Sequence, residues 1–553
     1  MNITAYCYNC VTRLSSALPA LFWLCLASAG CADPSSPTRL TPSREAQATQ
    51  QNQASSAILL QGFHWNSWSY SGPNWYVRLQ NNAADIASLG FTHVWFPPPS
   101  NSAAREGYLP RELNLLDSSY GSETDLRAAI SALSSRGVKS VADIVVNHRV
   151  GDTGYYDFQN PAWGTSAIVS NDECNCGTGA ADSGYGYGSA RDLDHSQSIV
   201  QTGITSWLNN RLKAVGFTGL RFDIANGYAP SYAKTYHDAF APDFCVGEVW
   251  PTLDLNNVDA NRQAIINWVD GTQGTCGAFD FTTKGLLNQA LAYGEYGRLR
   301  DATGKPAGTI GWWAQKSVTF VDNHDTGPNE TCNSGQRLWP VPCDKVMQGY
   351  AYVLTHPGIP SVYYPHLYDW GLKTAIKALI DVRRAQGITS TSTISIQSAQ
   401  QGLYAAIIND NTAVKIGPNA WTPGAGWTLA ASGTDYAVWT KSTTPCTVPI
   451  TFTIANANTS LGQSLYVVGN QTALGNWTPA QGFKLTIQGS GANVPWSGTV
   501  QLPAATAIQY KYVKYNGSTA VWESNAPTTS GNRELTTAAC GGSNTQNDGN
   551  FRF

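Results

Sequence analysis

Charge is scarce in this chain. Asp, Glu, Lys and Arg together make up 13% of its 553 residues, about half the usual share for a soluble domain. The 37 acidic and 34 basic residues nearly cancel, leaving a net charge of -3. No basic stripe is present, so nucleic acid is not an expected partner. Methionine is nearly absent, at 2 residues, and no internal repeat is visible. Beyond Cys31 no cysteine pair has the CxxC spacing of a zinc site. What the chain does have is aromatic: 19 Trp and 26 Tyr, with 52 Gly and 42% hydrophobic residues. That is apolar material for a sizeable core in each of several domains. Most of the tryptophans read as ordinary core. Few charges with many aromatics also suit an exported protein that handles sugars, because pyranose rings present flat C–H faces that stack on aromatic rings.

Residues 1–31 read as an export signal. Arg13 supplies a thin positive flank, and the apolar stretch from Ala17 to Ala29 is too short for a membrane span. Ala27-Ser28-Ala29 fits a small-residue cleavage site. Ser28-Ala29-Gly30-Cys31 also resembles a bacterial lipobox, with Ser28 where Leu is preferred. Lipidation would anchor the chain at Cys31, and ordinary cleavage near Ala29 to Ala32 would release it. Both readings put the chain outside the cell or at its outer surface, with no transmembrane span. Residues 32–55, rich in Ser, Pro, Gln and Ala, read as a flexible linker. Eight cysteines follow: 174, 176, 245, 276, 332, 343, 446 and 540. An even number in an exported protein suggests disulfides. The simplest proposal pairs neighbours: Cys245 with Cys276, Cys332 with Cys343, and Cys446 with Cys540. Cys174 and Cys176 are left over, separated by one residue, where a bridge is expected to be strained.

From Ala57 to about Gly387 short β-like runs alternate with helical patterns. The runs are Ile58–Gln61, Thr92–Phe96, Ser140–Val146, Gly219–Phe222, Phe244–Gly247, Ala278–Phe281, Ser317–Val321 and Ser361–Tyr364. Leu126, Ala129, Ile130 and Leu133 recur at helical spacing, as do Leu79, Ala83 and Ile86, which stop at Gly90. Eight strand–helix units predict an α/β fold, a (β/α)8 barrel over residues 56–387. A Gly-, Asp- and Tyr-rich stretch, about 148–192, reads as an irregular insertion after the third strand. Residues 388–441 lose the helical period and read as a small antiparallel sheet. Residues 442–445 form a short linker. From residue 446 to 553 the pattern is all β: Val448, Ile450, Phe452 and Ile454 alternate with polar or small residues. Further strands are expected near Leu465–Val468, Lys484–Ile487, Gly498–Leu502 and Ile508–Lys514.

Hydrolysis of a glycosidic bond with retention needs two carboxyl groups, one to attack the anomeric carbon and one to protonate the leaving oxygen. In a barrel such groups belong at the C-terminal ends of strands. Four segments sit there: Asp143-Ile-Val-Val-Asn147-His148, Gly219-Leu-Arg221-Phe-Asp223, Gly247-Glu248-Val-Trp250 and Phe320-Val-Asp322-Asn-His324-Asp325. Singly, each reads as a cap or a salt-bridge partner. Together and in this order they make the chain resemble the α-amylase family of glycoside hydrolases. The likeness extends to Gln61-Gly-Phe63, Glu106-Gly-Tyr108-Leu-Pro110, Met347-Gln-Gly-Tyr-Ala-Tyr352 and Tyr368-Asp-Trp-Gly371. Plant-type α-amylases and bacterial maltotetraose-forming amylases are the nearest in pattern.

The resemblance implies roles. Asp223 would be the nucleophile, Glu248 the general acid and then base, and Asp325 the holder of sugar hydroxyls. Arg221 would keep Asp223 ionised, and Glu248 would need a raised pKa. His148 and His324 would bind hydroxyls, and Tyr108 would stack on the sugar. One departure is Asn226, where many relatives carry Arg or Lys, so leaving-group subsites are expected to be weaker. The family also implies Ca2+ between barrel and insertion, on Asn147, Asp182, Asp192 and the carbonyl of Gly227. The Tyr185 carbonyl is a weaker match, and Asp172 rivals Asp182. Residues 446–553 resemble the starch-binding domain of glucoamylases, with Trp477 and Trp522 as a platform, Lys511 and Asn525 as hydrogen-bond partners, and Tyr466 and Trp496 as a second site. The implied activity is α-1,4 hydrolysis of starch, amylose, amylopectin and maltooligosaccharides by a monomer. An exo-acting maltotetraose-type amylase would use the same carboxylates. A non-catalytic starch-binding barrel would usually have lost one of them.

Overall fold

Parallel strands covered by helices need short runs of apolar or small residues. In the computed structural model, which describes residues 56–441, 447–491, 494–538 and 542–553, eight such runs close into a barrel. They are β1 (Leu59–Gln61), β2 (His93–Trp95), β3 (Lys139–Ile144), β4 (Gly219–Phe222), β5 (Phe244–Gly247), β6 (Gly277–Phe279), β7 (Ser317–Phe320) and β8 (Ile359–Tyr363). Neighbours in space follow chain order, and β1 pairs with β8 in parallel through Leu59 and Ser361 to shut the ring. These are the eight strands expected from the sequence, with ends moved by one or two residues.

The helices follow from local signals. In α1 (Trp75–Leu89) the Asn74 side chain accepts from Val77 N, and Leu79, Ala83 and Ile86 are buried. Gly90 ends it at φ 95, a left-handed position where a Cβ would fall 2.8 Å from Arg384 Nη1. In α2 (Glu123–Ser134) Ser122 and Asp125 form a capping box, and Leu126, Ala129, Ile130 and Leu133 face the core. The insertion after β3 starts and ends as a two-residue antiparallel pair, with His148 opposite Asp192.

Beyond the barrel lies a five-stranded antiparallel sheet. Its strands are β9 (Ile394–Gln400), β10 (Leu403–Ile408), β11 (Thr412–Ile416), β12 (Thr428–Gly433) and β13 (Tyr436–Thr440), in the order β9-β10-β11-β13-β12. The C-terminal part holds two more sheets. In β14 (Thr447–Ile454), Val448, Ile450, Phe452 and Ile454 are all fully buried, as their alternation requires. Strands β15 (Ser464–Gly469), β18 (Trp496–Pro503) and β19 (Ala507–Tyr515) match expectation. The run expected at Lys484–Ile487 is instead two short strands, β16 (Phe483–Lys484) and β17 (Thr486–Ile487), one in each sheet. The chain changes sheet at buried Leu485, whose N–H donates to Leu465 O. Strand β20 (Ala520–Trp522) is apolar but only three residues long and mostly exposed, and β21 (Arg533–Thr536) and β22 (Asn544–Asn547) are largely polar, so none was expected as a strand from the sequence. Main-chain pairing holds β22 parallel to β14.

Disulfides join Cys245 to Cys276 and Cys332 to Cys343, as neighbour pairing predicts. Cys174 and Cys176 are also bridged, with Cα atoms 5.1 Å apart. Asn175 between them takes φ 52, a left-handed conformation that Asn tolerates. That reversal brings the sulfurs together and corrects the expectation that the spacing disfavours a bridge. The proposed Cys446–Cys540 link, the export segment with Cys31, and both linkers lie outside the described residues. Among those residues no helix is long and apolar enough to cross a membrane.

Candidate active site

Side chains two residues apart on a strand project to the same side. Arg221 near the end of β4 and Asp223 just past it therefore meet in the barrel mouth. Arg221 is fully buried, and its Nη1 donates to Asp223 Oδ1 at 2.7 Å and to Asp143 Oδ1 at 2.8 Å. Its Nη2 lies 2.9 Å from Glu248 Oε2, just past β5. Glu248 Oε2 also accepts from Ile224 N at 3.2 Å. Ile224 holds φ 39, an uncommon state for a β-branched residue that turns its N–H toward the carboxyl. The other oxygen of Asp143 accepts from Trp95 Nε1 at 3.0 Å and from Tyr108 OH at 2.8 Å.

Asp325 enters from the segment after β7. Its Oδ1 accepts from Gln336 Nε2 at 2.7 Å, and its Oδ2 lies 3.3 Å from His324 Nε2. The Gln61 amide donates to His324 Nδ1 at 2.9 Å, which leaves the ring proton on the nitrogen facing Asp325. The rings of Trp65, Tyr108 and His324 are nearly parallel, with centroids 5.1–6.0 Å apart. Parallel aromatic faces of this kind suit stacking on a sugar ring. Trp65 and Gln336 escaped sequence reasoning. Trp65 carries a faint signal, standing two residues after Phe63, and Gln336 has none.

Three carboxyls, those of Asp143, Asp223 and Glu248, share one guanidinium, and Asp325 adds a fourth to the cluster. Burial pushes Asp223 well above the usual carboxylate range, Arg221 pulling it down and Glu248 and Asp143 pushing it further up. Arg221 thus opposes the effect of burial on Asp223 while also serving Asp143 and Glu248. Asp325 is raised to about 8, first by burial and then by the charge of Glu248. With Asp325 raised that far, the cluster retains a proton near neutral pH. It can therefore offer an attacking carboxylate beside a proton donor.

His148 lies deeper than expected. It is fully buried, its Nε2 within 2.8 Å of Tyr108 O and its ring stacked under Tyr187 at 4.1 Å. In this arrangement His148 supports the Tyr108 backbone.

Of the residues expected for Ca2+, Asn147, Asp192 and Gly227 meet at the base of the insertion, and the charge of Asp182 acts on Asp192 there. Asn147 Nδ2 donates to Asp192 Oδ1 at 3.1 Å, while Asn147 Oδ1 is buried without a hydrogen-bond partner among the described residues. A Cβ on Gly227 would fall 2.0 Å from that oxygen, so only glycine lets the backbone approach it. Gly184 packs on the Gly227 backbone, and Tyr185 N donates to Asn226 O. Burial and the charges of Asp182, Asp172 and Glu173 raise Asp192 to about 7. An orphaned amide oxygen beside crowded carboxylates fits a hard cation. Asp172, Glu173 and Asp192 also form an acidic group. But Asp172 and Glu173 are ion-paired to Arg191, and Asp172 accepts from the N–H groups of Asp192 and Cys174. Asp172 thus anchors the loop while also standing in the acidic group with Asp192, as the rival to Asp182.

In the C-terminal part Trp477 and Trp522 are neighbours, with centroids 6.5 Å apart, and Trp522 is 38% exposed. Lys511 Nζ donates to Asn525 Oδ1 at 2.8 Å. Trp496 is 5% exposed and belongs to the core with Val448 and Phe452, which corrects its expected place in a second platform. Its partner in that reading, Tyr466, is half-buried against Tyr515.

A barrel with paired carboxyls at its strand ends suits glycoside hydrolysis. Family models match at residues 84–162 (alpha amylase, catalytic domain), 385–440 (alpha-amylase C-terminal beta-sheet domain) and 447–546 (starch binding domain). Probable alpha-amylase 2 of Arabidopsis thaliana is 45% identical over 400 residues, 69% of this chain and 94% of that protein. The glucan 1,4-alpha-maltotetraohydrolase of Stutzerimonas stutzeri is 33% identical over 508 residues, 85% of this chain and 90% of that one. An α-amylase structure from Malbranchea cinnamomea shares the fold, with a TM-score of 0.50 at 17% identity, covering 82% of this chain and 98% of that one. The chain belongs to the α-amylase family of glycoside hydrolases, and it carries a starch-binding domain.

Proposed function

We propose that the protein is an exported α-amylase that cleaves α-1,4-glucosidic bonds with retention of configuration. The observation that carries this is the convergence of Asp223 and Glu248 on the two arms of buried Arg221. Paired carboxyls suit a double displacement. Asp223 Oδ2, buried and without a hydrogen-bond partner, attacks the anomeric carbon. Glu248 gives its proton to the departing glycosidic oxygen as the C–O bond breaks. Glu248, now a carboxylate, then takes a proton from water. The water oxygen attacks the anomeric carbon, and Asp223 leaves. Two inversions restore the α configuration. Asp325 and His324 hold hydroxyls of the reacting sugar over the Trp65 and Tyr108 rings.

Asn147, Asp182, Asp192 and the Gly227 carbonyl would hold Ca2+, which supplies positive charge that ties the insertion to the barrel. Trp477 and Trp522 bind starch chains by stacking, with Lys511 and Asn525 as hydrogen-bond partners. A second reading, exo-acting release of maltotetraose, is favoured by one observation: the maltotetraohydrolase match covers more of this chain than the plant amylase match does. A single dominant early oligosaccharide from soluble starch supports the exo reading, and a broad ladder the endo one.

Asp223→Asn and Glu248→Gln should each lower kcat on soluble starch by about 10³-fold or more, with the fold intact. Proton NMR of the first product should show the α anomer. A β product, or a folded variant with near-parental activity, overturns the assignment.

A further inference from the structure

The segment after β7 leaves the barrel at Asp325 and returns along itself. Leu338 N donates to Asp325 O at 3.0 Å, and Trp339 N to Thr326 O at 3.1 Å. Below it, Asn288 Nδ2 donates to the carbonyls of Trp339 and Pro340. Asp322, fully buried and ion-paired to Lys284 at 2.7 Å, accepts from Val341 N. The Cys332–Cys343 bridge closes the excursion covalently. At its tip Asn329 N donates to Ser334 O. Gly335 takes φ 83, with Asn329 Oδ1 only 2.7 Å from where a Cβ would sit, and Arg337 takes φ 54. Two left-handed residues flanking Gln336 turn its side chain inward, while Arg337 and Leu338 face solvent.

From this geometry we infer that Gln336 is a positioning residue for Asp325, and that the Cys332–Cys343 staple acts by holding Gln336 there. The inference rests on the proposed role of Asp325 in holding the sugar. A carboxyl at the mouth of a site can rotate, and the 2.7 Å bond fixes Oδ1 and so aims Oδ2, beside His324, at the sugar. Donation to a carboxylate also favours its ionised form and works against the burial that raises Asp325. Without the staple the loop would have to order itself on substrate binding, at an entropic cost.

The test uses the full-length protein with a defined maltooligosaccharide, comparing Gln336→Ala, Gln336→Glu, Cys332→Ser with Cys343→Ser, and the triple variant Cys332→Ser/Cys343→Ser/Gln336→Ala. Thermal melts establish that each is folded. Gln336→Ala should lower kcat/KM by about tenfold and move the rising limb of its pH dependence to higher pH. Gln336→Glu keeps the size but replaces a donor by a like charge, so it should lose more. The serine pair should lose part of the activity, and none further once Gln336 is already Ala. Parental kcat/KM and an unmoved limb in Gln336→Ala overturn the positioning role. Additive losses overturn the link to the staple. Asp325→Asn is the control: parental activity there sinks the reading of Asp325 and the inference with it. An inactive Asp325→Asn beside an unaffected Gln336→Ala sinks the inference alone.

Discussion

Asp143 shows how much one side chain can organise. It opens a segment picked out by its position at a strand end, yet it stands behind the site rather than in it. Its two oxygens hold Arg221, Trp95 and Tyr108, so it sets the cation that Asp223 and Glu248 share and the ring on which the sugar is proposed to lie. Asp143→Asn keeps the shape and removes the charge, leaving Arg221 short of one buried partner. It should reduce stability by about 3 kcal/mol and kcat by about 10²-fold. Urea unfolding and initial rates on soluble starch check both. A variant with the parental midpoint and rate would show that the aspartate charge is dispensable.

At the scale of elements, the insertion and the tryptophan pair each carry a prediction. Chelation by EGTA should lower Tm by about 10 °C, and added Ca2+ should restore it. Gly227→Ala puts a Cβ 2.0 Å from Asn147 Oδ1, so its Tm should already be low and should not respond to Ca2+. An EGTA-insensitive parent refutes the cation site. Trp477→Ala with Trp522→Ala should abolish adsorption to starch granules and leave kcat on soluble starch within about twofold, since a tether raises local concentration without touching the chemistry. Parental adsorption would mean that the two rings are incidental. Trp496 shows why exposure has to come from the structure: the resemblance implied a second platform there, and the ring lies in the core.

For the whole molecule the buried histidines set the acid limit. Burial lowers His64 and His93 to about 4 and His356 and His366 to about 3, against an ordinary 6.5. Between those values the unfolded chain binds protons that the folded one does not, so stability falls as pH drops from about 6.5 to 4. The slope is at most about 1.4 kcal/mol per pH unit for each histidine. Asp325 works in the other direction. Its folded value of about 8 lies above the ordinary carboxylate range, so its contribution falls as pH rises from about 4 to 8. His148 at about 4 and His195 at about 3 add to the four histidines. Together these six outweigh Asp325 and the other raised carboxyls, Asp192 at about 7 and Asp223, below 6.5, and the carboxyls prevail above it. Urea midpoints should therefore rise from pH 4.5 to about 6.5 and then level or decline. A midpoint that is highest at pH 4.5 contradicts this account.

What the sequence determined by itself is what depends on neighbours in the chain. Apolar runs with the right period became the barrel strands. Asn74, Ser122 and Gly90 marked helix ends, and strict alternation made β14. The carboxyls were legible because strand ends are local features and their motifs are contiguous. Tertiary structure decided whatever joins distant segments. Gln61 meets His324 across 263 positions, and Arg221 meets Asp143 across 78. Gln336 reaches Asp325 only because its loop folds back, and the Cys174–Cys176 bridge forms only because Asn175 turns the chain. Burial of His148 and Trp496 was likewise settled by what packs over them. Local periodicity records how a segment pairs and caps, but a contact between segments depends on how their elements pack, which no single stretch encodes.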